Sequence, residues 1–229
     1  MARFSRDTLD GWSDLSAASA HVVLPLVFEL YRPQSVVDVG CLYGQWGAEC
    51  RALGVVDVIG IDGEYVNLAA LRIPSESFIA RDLTRPLRLE RTFDLAICLE
   101  VAHYLPADRA AGFVADLCRL APAVLFSASI PHQGGNDHVN EQWPAYWAEH
   151  FARLAYTPVD CVRDEVWEHQ DVASWYAQNT LLFLSADVVR PAIAAHRGFG
   201  RFPARVHPSV FLTYAAGRYQ VLRRRLARG

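Results

Sequence analysis

Two glycines, Gly40 and Gly44, bracket a five-residue turn directly after the β-branched run SVVDV at 35–39. A turn of this kind lets backbone approach a ligand closely, because glycine carries no Cβ. A helix starting just beyond it offers free N–H groups to an anionic group. Asp62 closes the next apolar run, VVDVIGI at 55–61. A carboxylate in that place, about twenty residues beyond the turn, can accept hydrogen bonds from both hydroxyls of a ribose. This set of residue types suits a cofactor that contains a nucleoside.

Two such cofactors compete, a dinucleotide and S-adenosylmethionine. A dinucleotide fingerprint needs glycine at the middle of GxGxxG, and Leu42 stands there. Asp38, inside the first apolar run, would repel a pyrophosphate yet could orient the ammonium of an amino-acid tail. The spacing therefore favours S-adenosylmethionine over a nicotinamide cofactor.

Composition narrows the remaining chemistry. All 22 basic residues are arginine. The absence of lysine excludes Schiff-base chemistry and a P-loop. The net charge of -3 argues against a nucleic-acid partner, which calls for a basic surplus. The one basic cluster, RRRLARG at the C-terminal end, is expected to be a frayed, solvated tail. The five cysteines, Cys41, Cys50, Cys98, Cys118 and Cys161, show no CxxC spacing, so neither a disulfide framework nor a structural zinc site is expected. The first sixteen residues contain no apolar signal-peptide core. The apolar stretch from Val22 to Leu30 contains Pro25 and Glu29 and is too short to span a bilayer. These features lead us to expect a cytoplasmic protein with no membrane partner and no bound metal, acting on a small molecule and allowing a homodimer.

The elements that must position these residues follow from the apolar pattern. Helices are expected at 16–31, 45–53, 64–71, 107–120 and 143–154, and from about Ser209. Strands are expected at 35–39, 55–61, 77–80, 93–99, 123–127, 157–162 and 180–184, with an aromatic-rich connection, WEHQDVASWYAQN, before the last. Near-continuous apolar strands alternating with amphipathic helices imply an α/β protein with a doubly wound, mostly parallel seven-stranded sheet. Ligands bind beyond the carboxyl ends of such strands, so Gly40, Asp62, Asp82 and Glu100 should line one crevice. We expect a single domain over 1–229, with a substrate-side loop region at about 130–150 and a C-terminal extension at about 190–229.

From about Val22 to Leu184 the chain resembles the class I S-adenosylmethionine-dependent methyltransferases, in particular a bacterial small-molecule, natural-product type. The resemblance lies in VVDVGCLYGQWG, GIDGEYV, RDLTRPL, FDLAICLEVAHYLP and HQGGNDHVNEQW. It implies a Rossmann-like fold and S-adenosyl-L-methionine as cofactor. It also implies that Asp38, Gly40, Cys41 and Gly44 form the methionine-side loop, that Asp62 and Gly63 hold the ribose, and that Asp82 and Leu83 face the adenine. Glu100 would mark the rim where cofactor meets substrate.

Departures from the family pattern fall at Leu42, at His103 and Tyr104 within EVAHYLP, at His132, and at Asp137. Transfer of a methyl group to oxygen or nitrogen needs an aligned nucleophile and removal of its proton. Histidine does this near neutral pH. His103, just past the fourth strand, is the first candidate base, followed by His138 and His132, with Tyr104 positioning the substrate. The same departures leave open non-methylating sulfonium chemistry, such as transfer of the aminocarboxypropyl arm, cyclisation or elimination. A non-catalytic cofactor-binding protein on the same fold is the remaining alternative.

Overall fold

The computed structural model describes residues 6–226, with side chains from Gly11 to Gly217. Five parallel strands build most of the sheet: β1 (Ser35–Val39), β2 (Asp57–Asp62), β3 (Phe78–Ala80), β4 (Leu95–Leu99) and β5 (Ala123–Ser127). Two antiparallel strands, β6 (Tyr156–Val159) and β7 (Leu181–Ser185), complete it in the order β3-β2-β1-β4-β5-β7-β6. The order reverses between β1 and β4, which opens a crevice at their carboxyl ends.

Alternation of side chains along each strand divides the core in two. Val36, Leu95, Ile97, Leu125, Leu182 and Leu184 face one side, against Val23, Leu24 and Val27 of α1 (Arg6–Leu30) and Trp46 and Cys50 of α2 (Gln45–Ala52). Val37, Ala96, Cys98, Val124 and Phe183 face the other. There they meet Phe113, Val114 and Leu117 of α3 (Ala110–Leu120) and Trp147 and Phe151 of α4 (Pro144–Ala152). Because both faces are covered, these strands tolerate apolar residues at every position, which is why they read as continuous runs.

Two short helices, α5 (Arg163–Val166) and α6 (Ser174–Asn179), occupy the connection from β6 to β7. Because β7 is antiparallel to β5, its first residues lie beside the carboxyl end of β5. Gln178, Asn179 and Thr180 are thereby delivered to the crevice edge. A buried bidentate pair fixes this connection. The Arg163 guanidinium donates to Asp160 Oδ2 at 2.6 Å and Oδ1 at 3.1 Å, and its other nitrogen donates to the Gln178 carbonyl at 3.4 Å.

Several expectations need correction. Residues 64–71 form only one 3-10 turn, Leu68–Ala70. Asn67 Oδ1 captures the Ala69 N–H at 3.2 Å, and Leu68 is 56% exposed while only Val66 is buried, so a helix there would have no apolar face to support it. The expected helix at 107–120 opens as a separate 3-10 turn, Ala107–Arg109. The aromatic-rich connection at 167–179 ends in α6. Helix α1 starts ten residues earlier than expected and continues through Pro25. Its segment Gly11–Leu30 is long and apolar enough by composition to cross a membrane. It packs instead as a core helix: Val23, Leu24 and Val27 are fully buried, and Ser19 Oγ accepts the Ala173 N–H at 3.0 Å. Beyond β7 come α7 (Pro191–Ala194) and α8 (Pro208–Leu226). The basic run at 223–228, expected to fray, is helical in backbone as far as Leu226. Its side chains and its last residues lie outside the described part.

Candidate functional site

The turn after β1 depends on left-handed backbone. Gly40 has φ 82° and Gly44 φ 81°. A Cβ on Gly40 would fall 2.2 Å from Val101 Cγ2, and one on Gly44 would fall 2.9 Å from Ile73 Cγ1. Leu42 lies in the same region at φ 50°, so the departure from glycine changes the side chain but keeps the path. Asp62 holds it there, with Oδ2 accepting the Leu42 N–H at 2.7 Å. Cys41 is buried beside Gly60, and burial followed by the charges of Asp38 and Asp62 pushes its thiol far above the ordinary range.

Asp38 and Asp62 are both buried, at 2% and 4% exposure. Asp62 is well supplied with donors. Besides Leu42, the Gly63 N–H reaches Oδ1 at 2.7 Å and the Tyr65 hydroxyl reaches it at 2.5 Å. Burial raises its carboxyl and these hydrogen bonds pull it back. Asp38 Oδ2 has no hydrogen-bond partner. Burial first, and the charge of Asp62 second, push the Asp38 carboxyl up to about 8, against a lowering pull from the Gly47 amide. An unpartnered carboxylate oxygen beneath a glycine turn suits a cationic group, which would hold Asp38 ionised. The residues therefore fit a cofactor that pairs a ribose with an ammonium or sulfonium.

Asp82 lies two residues beyond β3, on the same sheet edge, but its carboxylate faces outward. It accepts the Thr84 N–H at 3.0 Å and hydroxyl at 2.7 Å. Those bonds, ahead of Arg85, hold it below the usual carboxylate range. It closes a local turn, as expected for an Asp at such a position. Leu83 turns inward and packs on the α3 side of the core.

Glu100 follows β4 at φ 58°, an uncommon backbone for a residue other than glycine. Its N–H donates to the Ser127 carbonyl and hydroxyl, both at 3.0 Å. Its carboxylate accepts Asn179 Nδ2 at 3.1 Å and Ser129 Oγ and Gln133 Nε2 at 3.2 Å. Burial pushes this carboxyl up despite these donors. Gln133 Oε1 in turn accepts from Asn179 at 2.9 Å and Gln178 at 3.0 Å. Sequence reasoning missed Ser129, Gln133, Gln178 and Asn179. The available signal was a pair of amides, separated by Thr180 from the fully apolar run LLFL.

Three of the four candidate catalytic residues come together. The His103 ring lies 4.0 Å from that of His138 and 4.4 Å from that of Tyr104, centroid to centroid. His132 stands apart on the outer face of the loop, with its ring 5.1 Å from Tyr214 of α8.

The first choice of base needs correction. His103 is 1% exposed, and its Nδ1 accepts the Ser129 N–H at 3.0 Å. A neutral imidazole with Nδ1 as acceptor carries its proton on Nε2, so His103 has no free lone pair with which to take another. Burial, then His138, pushes its pKa well below the ordinary histidine value. Its carbonyl accepts the Val139 and Asn140 N–H groups at 3.0 and 3.1 Å, which anchors the substrate-side loop. His138 has the complementary arrangement. Its Nδ1 lies 2.9 Å from Glu141 Oε1. A carboxylate only accepts, so Nδ1 carries the proton and Nε2 keeps its lone pair. Glu141 Oε2 also accepts the His132 N–H at 2.8 Å. Among the described residues, no three His, Cys, Asp or Glu side chains converge as metal ligands.

Residues 37–121, from β1 to just past α3, match a family model described as a methyltransferase domain. The fold is shared with the sugar N-methyltransferase KedS8 from a Streptoalloteichus species, at 17% identity and TM-score 0.57, over 74% of this chain and 87% of that one. DesVI of Streptomyces venezuelae aligns at 14% identity and TM-score 0.57, over 76% and 93%. The magnesium protoporphyrin IX methyltransferase of Synechocystis with bound S-adenosylhomocysteine aligns at 15% and 0.54, over 79% and 82%. No curated protein sequence matches the chain. The sheet order, the glycine turn and the matched segment define the class: the chain has the Rossmann-like class I methyltransferase fold. Within that fold, the segment 37–121 that carries the glycine turn is similar to a methyltransferase domain.

Proposed function

We propose that this protein transfers the methyl group of S-adenosylmethionine to an oxygen or nitrogen of a small molecule in natural-product biosynthesis, with His138 as general base. The observation that carries this reading is the His138–Glu141 hydrogen bond beside the end of β4. It fixes the tautomer that leaves Nε2 able to accept a proton, and Glu141 stabilises the imidazolium that results. The cofactor supplies an electrophilic methyl group on a sulfonium. Asp62 binds the ribose hydroxyls, Asp38 neutralises the positive charge of the amino-acid end, and the glycine turn admits both. His103 is a positioning residue, because its carbonyl holds the loop that carries His138. Tyr104, with its ring 5.0 Å from that of His138, orients the acceptor.

Two fold relatives support a small acceptor, since their names specify a sugar and a protoporphyrin. The five cysteines are free and none is fully exposed, in keeping with the cytoplasm as the proposed setting. The test is incubation with methyl-labelled S-adenosylmethionine and a panel of small hydroxyl and amine compounds. The label should appear in an acceptor together with S-adenosylhomocysteine. Methylthioadenosine as the product would overturn methyl transfer in favour of chemistry on the aminocarboxypropyl arm.

A further inference from the structure

Asp62 is the carboxylate assigned to the ribose, yet the protein already fills most of it. A carboxylate offers about four acceptor positions. Leu42 N–H occupies one on Oδ2, while Gly63 N–H and the Tyr65 hydroxyl occupy two on Oδ1. The two hydroxyls of a ribose need two positions, and only one remains. The backbone donors cannot leave without rebuilding the glycine turn. Tyr65 can. It lies on the turn after β2, its side chain is 54% exposed, and its ring covers Gly63, where a Cβ would come within 2.4 Å of Tyr65 Cε1. Its hydroxyl sits on Asp62, the last residue of β2, which places it at the mouth of the same crevice.

We propose that Tyr65 is a latch on the ribose carboxylate: its hydroxyl satisfies Asp62 in the free protein and gives way to a ligand that carries a vicinal diol. The inference rests on the cofactor reading of this crevice. In the free protein the latch serves a purpose, because a buried carboxylate short of donors is costly. In binding it acts as a competitor, because the phenol must leave Asp62 before a diol can take its place. Only a ligand whose diol replaces the phenol restores the full donor set. The apparent affinity for any such ligand is scaled down to the fraction of molecules in which Tyr65 has already disengaged.

Titration calorimetry on the whole chain tests this with wild type and Tyr65→Phe, using S-adenosylhomocysteine and its 2′,3′-dideoxy analogue. The Phe variant should bind S-adenosylhomocysteine on the order of ten-fold more tightly, the scale of one hydrogen bond to a charged group. The dideoxy analogue should bind both proteins alike. Equal or weaker binding of S-adenosylhomocysteine by Tyr65→Phe overturns the latch, since the phenol is then not displaced or helps to hold the ligand. An equal gain for both ligands also overturns it, because the diol is then not what replaces the phenol. If neither protein binds either ligand, the cofactor reading fails first and the latch fails with it.

Discussion

Substituting Gly40 by Ala isolates the contribution of the glycine turn. Two costs follow from the structure. Gly40 has φ 82°, and a residue with a Cβ in left-handed backbone costs about 1–2 kcal/mol. The added carbon would lie 2.2 Å from Val101 Cγ2 and 3.0 Å from Cγ1. Relief of that contact needs a backbone or rotamer shift, typically about 1–3 kcal/mol. Together they predict a loss of roughly 2–5 kcal/mol. For a chain of this size, at about 2–4 °C per kcal/mol, the melting temperature should fall by roughly 4–20 °C. Thermal unfolding followed by circular dichroism measures it. Adding Val101→Ala separates the two costs, because the double variant should recover the steric share and keep the conformational one, giving a coupling of about 1–3 kcal/mol. A Gly40→Ala protein that melts within 2 °C of wild type would refute the close approach, and strict additivity of the two changes would refute Val101 as its cause.

Further outcomes follow from the same geometry. Asp38 binds a proton more tightly folded than unfolded, so its contribution to the stability of the free protein should be lost as pH rises from about 4 toward about 8. Asp38→Asn should flatten that slope, stabilise the free protein near pH 8 and weaken S-adenosylmethionine binding; a slope unchanged in denaturant titrations across pH would contradict this. His103 is held neutral when folded, so its own contribution runs the opposite way and is lost as pH falls below about 6.5; in a His103→Gln melting series that opposing contribution should be absent. His138→Gln should lower kcat by about 10²–10⁴ with the cofactor dissociation constant unchanged, and Glu141→Gln should lower kcat as well, also without weakening the cofactor. Asp160→Ala strands the buried Arg163 guanidinium and should cost about 3–5 kcal/mol, measured by urea unfolding.

The parts that were legible in the sequence share one physical property: a strand covered on both faces reads as an unbroken apolar run. β1 and β5 appear in the sequence with their observed bounds for this reason, and Gly40 and Gly44 mark the turn because only glycine fits there without strain. Residues whose role depends on a partner distant in sequence could not be read. His103 resembled a base by its place after β4, but the Ser129 N–H, 26 residues on, occupies the nitrogen it would need. Asn179 reaches Glu100, and Gln178 reaches Gln133 beside it, only because β7 runs antiparallel, and no local pattern encodes that direction. Residues 64–71 resembled a helix by composition, whereas the exposure of Leu68 and the capture of Ala69 by Asn67 arise only in the folded chain.

The most direct test of the site is a crystal structure with S-adenosylhomocysteine. The account predicts ribose hydroxyls on Asp62, the amino group near Asp38 Oδ2, and the sulfur directed toward the carboxyl end of β4. A nucleoside bound elsewhere, or an Asp38 Oδ2 still without a partner in the complex, would contradict it.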